Sequence, residues 1–228
     1  MKLAHPDLQF IMSISENRFP VLVLERPDVF FRLISQLCAQ TEGVAGPFVL
    51  SEDWEPLDIG RTVLLITDMF HIDLNGRKQT SALSRHLNSL AVSEHYIQST
   101  LEMKDIINRW ALELENDIPL ATVHNESVDI GAILKAVGIK FEDNSREVSE
   151  QLCGLIKICA SFMNVRLLAI VGLHTCLENK AIEAIYQTAM YEKVPILDIE
   201  RHMPETRLPC EKCYIIDRDN CEIYNDND

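Results

Sequence analysis

Nucleotide chemistry in a chain of this kind should show first as a glycine-rich turn between a strand and a helix, where bare backbone N–H groups cradle phosphate. No such turn is present. The apolar run from Phe19 is followed by Glu25, Arg26, Pro27 and Asp28, with no glycine and two carboxylates facing any phosphate. The run from Arg166 to Val171 is followed by Gly172, Thr175 and Lys180, which do not fall in the order G-x-x-x-x-G-K-[ST]. Asp68 to Gly76 imitates a calcium loop. Setting Gly76 as the loop glycine puts His71 in the place of the first carboxylate and Ala82 in the place of the bidentate Glu, so a strand end and turn is the better reading. Cys210 and Cys213 make a single C-x-x-C with Cys221 and His202 nearby along the chain. A Cys₃His zinc site has that composition, but a strand begins at Tyr214, and buried or incidental thiols are the favoured reading. There is no H-E-x-x-H and no G-x-S-x-G. The remaining cluster is acidic: Glu113, Glu115, Asp117, Glu126 and Asp129 crowd one polar break. Two readings stay open for it, a solvated loop with a capping acid, or a hard-cation site of the kind Ca²⁺ builds from carboxylate and carbonyl oxygens.

The elements that must position these residues can be read from apolar spacing. Phe19 to Glu25, Arg61 to Asp68, Arg166 to Val171 and Val194 to Ile199 are short, β-branched apolar runs, the pattern of strands buried on both faces. Tyr214 to Asp217 adds a late strand, and Ile139 to Phe141 a short one. Asp28 is placed to cap a helix from Val29 to Gln40. Between Gln79 and about Glu115 the apolar residues Leu83, Leu87, Leu90, Leu101, Ile106, Ile107, Trp110 and Leu114 recur at helical spacing, which predicts two helices. Further helices are expected over Ile130–Val137 (stopped by Gly138), Glu147–Met163 and Leu177–Tyr191. Strands alternating with helices imply parallel pairing. The predicted architecture is an α/β head with a mostly parallel sheet, formed by 1–74 and 153–228, with an inserted helical leg at 75–152.

Composition narrows the class. The chain has 228 residues, 47% hydrophobic and 25% charged, which is enough for a real core. No apolar run approaches the ~20 residues of a membrane span, and the N-terminus lacks the pattern of a secretory signal. Seven cysteines without a disulfide-like spacing fit a reducing cytoplasm. The net charge of −14, from 21 Lys and Arg against 35 Asp and Glu, argues against nucleic acid on its own terms, because phosphate binding is driven by cations. The excess is spread over the chain: 5 basic and 11 acidic side chains in 1–74, 8 and 12 in 75–152, 8 and 12 in 153–228. Any DNA surface must therefore come from folding or from bound cations.

The order of elements carries a resemblance that no single motif does. Val21 to Glu25 with Val29 and Phe30, then Leu64 to Asp68 and Asp73, resemble the short Csn-family proteins of bacterial type II-A CRISPR systems. The likeness returns at Ile133 to Lys140, at Leu167 to Ile170, and at Asp198 to Arg201. It implies a homotetrameric ring whose heads are P-loop-like without a working phosphate loop. It also implies a basic central channel that holds double-stranded DNA and favours free ends, calcium sites that order the ring, and no catalysis. The expected partners are the integrase pair and the RNA-guided nuclease of spacer acquisition. On this resemblance the channel residues are Arg32, Lys135 and Lys140, with Arg77, Lys78 and Lys180 in loops of matching position. The acidic cluster Glu113 to Asp129 falls where the family places calcium ligands. Two other classes stay in view: a degraded nucleotide-binding enzyme, and a protein–protein scaffold that never touches DNA.

Overall fold

The computed structural model describes residues 1–224 apart from Glu126 and Arg146. In chain order the elements are β1 Lys2–Ala4, β2 Met12–Ser13, β3 Phe19–Leu24, α1 Pro27–Thr41, β4 Val49–Glu52, β5 Glu55–Leu57, α2 Ile59–Thr62 and β6 Val63–Ile66. There follow α3 Arg77–Ala91, α4 Ile97–Asn116, α5 Ile130–Val137, α6 Val148–Phe162, β7 Leu167–Val171, α7 Leu173–Cys176, α8 Asn179–Glu192, β8 Ile196–Glu200, β9 Glu211–Ile216 and β10 Glu222–Tyr224. The chain divides into a head of 1–74 with 143–228 and a leg of 75–142. The expected leg of 75–152 ran too far. Residues 148–152 open α6, whose Leu152, Leu155, Ile156 and Cys159 are buried in the head as it packs on α8.

The head is mixed α/β. Its large sheet has the order β10-β9-β3-β8-β7-β6, parallel from β9 to β6, with only β10 running antiparallel. All six residues of β3 are buried, as a central strand covered on both faces requires. One face packs Leu22, Leu24, Leu197 and Ile199 against Val29, Leu33 and Leu37 of α1. The other is covered by Leu155, Ile182, Ile185 and Tyr186 from α6 and α8, and Tyr186 stacks on Phe19 with ring centroids 4.1 Å apart. Each such side chain contributes about 1.5–3 kcal/mol on removal from water.

Against the same core lies a second, antiparallel sheet of order β2-β1-β4-β5, which the sequence reading did not foresee. Its strands have two to four residues, too few to show a period. Other boundaries also shift. The residues from Arg61 begin inside α2, so the strand is only Val63–Ile66. Asp28 does not cap α1: the helix starts at Pro27, and Asp28 pairs with Arg26 instead. Ile139 to Phe141 is irregular rather than a strand. Its backbone polar groups are met by a side chain, because Asn75 Oδ1 accepts from Phe141 N–H at 2.8 Å and Asn75 Nδ2 donates to Phe141 O at 3.0 Å.

The leg is helical. Gln79, Ala82 and Leu83 of α3 are buried, α4 buries only Thr100, and α5 ends at Gly138 in the left-handed conformation, φ 71°. The Thr100 hydroxyl donates to Ala91 O at 2.7 Å, tying α4 to the end of α3.

Candidate nucleic-acid interface

Open α/β sheets bind ligands outside the carboxyl ends of their parallel strands, so those ends come first. Beyond β3, the first turn of α1 offers no phosphate seat. Pro27 has no N–H, and the Arg26 guanidinium is held by the Asp28 carboxylate through bonds of 3.0 and 2.6 Å. Beyond β7, Gly172 takes the left-handed conformation at φ 83° and turns the chain into α7, aiming three amides at the strand ends. All three meet carboxylates of β8. Glu200 Oε1 accepts from His174 N–H at 2.6 Å and from Thr175 N–H at 3.1 Å, and Glu200 Oε2 accepts from the Thr175 hydroxyl at 2.6 Å. Asp198 Oδ1 accepts from Leu173 N–H at 3.3 Å. Glu211 at the start of β9 completes the group, its Oε1 2.7 Å from His174 Nε2 and its Oε2 accepting from Leu208 N–H at 2.8 Å.

The three buried carboxylates differ in how fully they are hydrogen-bonded. Both oxygens of Glu200 and of Glu211 are bonded, whereas Asp198 Oδ2 has no hydrogen-bond partner and lies 3.8 Å from His174 Nε2. Complete burial, reinforced by the charges of Glu200 and Glu211, pushes the Asp198 carboxyl well above the usual carboxylate range. Burial also raises the Tyr186 phenol and the Cys213 thiol beside it. The sequence reading passed over this cluster. Its signal was two acids at spacing two in an otherwise apolar strand, which places both on one covered face and obliges the fold to supply donors.

The six basic candidates divide between the two units, and all are exposed. Arg32 and Lys180 are on the head. Arg32 pairs with Asp7 at 3.0 Å. Lys180 stands in the first turn of α8, on a cleft of about 570 Å³ also lined by Ser149 and by the residues preceding α6 and α8, Glu147 and Glu178. Neither helix start has a side-chain cap. Arg77, Lys78, Lys135 and Lys140 are on the leg. Arg77 and Lys78 open α3, and the two-bond clamp from Asn75 fixes Phe141 beside that helix start. Lys140, one residue from the clamp, thus shares an end of the leg with Arg77 and Lys78. Lys135 lies in the last turn of α5.

The acidic candidates do not converge in the same way. Glu113 and Glu115 are two apart on α4 and face different sides. Glu115 is 3.1 Å from His124 Nδ1. Asp117 is the C-cap residue of α4, and Asp129 caps α5 by accepting from Gly131 N–H at 2.8 Å. Glu126 lies outside the described residues. Among the described residues no three His, Cys, Asp or Glu side chains are grouped to hold a metal ion, the described acids of this cluster and Cys210 with Cys213 included.

The family model for CRISPR-associated protein (Cas_Csn2) matches residues 40–220, most of the chain. The chain belongs to the Cas_Csn2 family. Its role is therefore CRISPR-associated. A chain from Pyrococcus furiosus, solved under the name of an ABC transporter (ATP-binding protein), is similar to this Csn2-family chain at 9% identity and a TM-score of 0.41, over 93% of this chain and 97% of that one. Comparison with curated proteins gives no match. Among the described residues no helix of this family member is long and apolar enough to cross a membrane.

Proposed function

We propose that this Csn2-family protein binds double-stranded DNA, with a preference for free ends, as a homotetrameric ring acting in CRISPR spacer acquisition, without catalysing a reaction. The observation that carries the reading is the gathering of Arg77, Lys78 and Lys140 at one end of the leg by the Asn75–Phe141 clamp. In a chain of net charge −14, three cations brought together are what a phosphate backbone needs. The strand-end amides support the same reading by another route. They already hold Glu200 and Asp198, so a nucleotide phosphate arriving there finds these donors taken. This is also the argument against the degraded-enzyme alternative.

The ring reading draws on α4. Ile106, Trp110 and Leu114 form an exposed apolar stripe at spacing four, on a helix that buries one residue of its twenty. A second chain would cover that stripe. Calcium enters the proposal with ligands shared between chains, since among the described residues no three acidic, His or Cys side chains of one chain are grouped to hold it. In that role it would neutralise carboxylates at the chain boundary.

A gel-shift titration with linear and covalently closed circular duplex of one sequence, with Ca²⁺ present, tests the proposal. Retention of the linear form alone supports threading over ends by a closed ring. Equal retention of both replaces the ring with an open groove, and no retention leaves the scaffold reading.

A further inference from the structure

The β4–β5 hairpin carries a feature that neither the fold nor the DNA reading uses. Glu52 pairs with Glu55, so the loop has two residues, Asp53 and Trp54. Both have positive φ, 49° and 71°. A two-residue turn of this hand ordinarily takes Asn-Gly or Asp-Gly, because glycine alone adopts the second position without strain. Here the largest side chain of all occupies it, and Trp54 is 90% exposed. Strain together with this exposure is the pattern of a functional position rather than of a packed one. The adjacent strand blocks the commonest alternative contact. β5 is the sheet edge, and Pro56 in it cannot donate to an added strand.

The surroundings of the ring define what it takes. Lys2, exposed on β1, holds its ammonium 4.8 Å from the Trp54 ring centroid, so one face of the indole already receives a cation. Its two chain neighbours are exposed carboxylates, Asp53 before it and Glu55 after it. Phosphate is repelled by that pair, so base stacking is disfavoured, whereas a guanidinium can lie on the open face and pair with a carboxylate at once. We propose that the Trp54 hairpin tip is a docking site for an arginine-bearing basic segment of a partner protein. The site shares no residue with the DNA candidates, so the two readings stand or fall independently.

The test uses the full chain and a fluorescein-labelled, capped peptide of alternating arginine and glycine, with its lysine counterpart and an oligothymidine as comparison probes. Expected by anisotropy is arginine-peptide binding weakened at least about tenfold by Trp54→Gly, weakened also by Asp53→Asn with Glu55→Gln, and weaker for the lysine peptide. Trp54→Gly should melt at or above the parent temperature, since glycine relieves the turn, and should retain the parent's duplex DNA affinity. Unchanged peptide affinity in Trp54→Gly, tighter binding of oligothymidine than of peptide, or a melting temperature well below the parent's would each overturn the proposal.

Discussion

Asp198 sits wholly inside the head with one oxygen unanswered, and its ionisation has a definite sign in stability. In the unfolded chain an aspartate loses its proton near pH 4. In the folded head Asp198 keeps it to a higher pH, so between the two the native state binds more protons and stability falls as pH rises. Urea unfolding from about pH 5 to 8 should show this loss in the parent and its absence in Asp198→Asn, which should be the more stable at the alkaline end. At the DNA surface the expectation is different in kind. Arg77→Gln or Lys140→Gln should each weaken duplex binding and reduce the slope of log affinity against log salt by about 0.9 per lost phosphate contact. Thermal stability should change by less than about 0.5 kcal/mol, because both side chains are exposed. A variant that binds DNA with the parent's slope removes that residue from the interface.

At the scale of elements, the parts of the fold legible in the sequence are those with long or saturated patterns. β3 and β7 are continuous apolar runs, β8 is apolar but for its two acids, and α5 ends where Gly138 says it should. No atom lies within 4 Å of a side chain added at Gly138, so Gly138→Ala tests the backbone alone. It should cost about 1–2 kcal/mol in chemical denaturation of the leg, the strain of a left-handed alanine. The small antiparallel sheet was not legible, because strands of two to four residues joined through Asp53-Trp54 carry neither a period nor a turn glycine. The acid group of β8 and β9 was hidden for another reason: local sequence shows the charges, while the amides that answer them come from α7 and the loop at Leu208. Within α1, Leu33 is 1% exposed at the heart of one core face. Leu33→Ala should cost about 2–5 kcal/mol in head stability, read as a lowered urea midpoint at unchanged slope.

For the whole molecule, the exposed stripe of α4 and the ring proposed from it lead to an expectation about assembly. Ile106→Glu with Trp110→Glu should shift the protein to smaller species by light scattering and reduce DNA retention with it, while the isolated chain keeps its helix content. The division into a head of two sequence segments and a leg of one also bears on how the chain is made. β3 finds its two neighbours only in β8 and β9, encoded beyond the entire leg and beyond α6 to α8. At ~5–20 residues per second, a growing chain holds β3 without either partner for on the order of ten to forty seconds. The leg, whose contacts are local in sequence, is finished during that interval. During synthesis the nascent protein is thus a folded helical insert preceded by a fully apolar strand still waiting for its sheet, and the ribosome-bound state is where this fold is most exposed to aggregation.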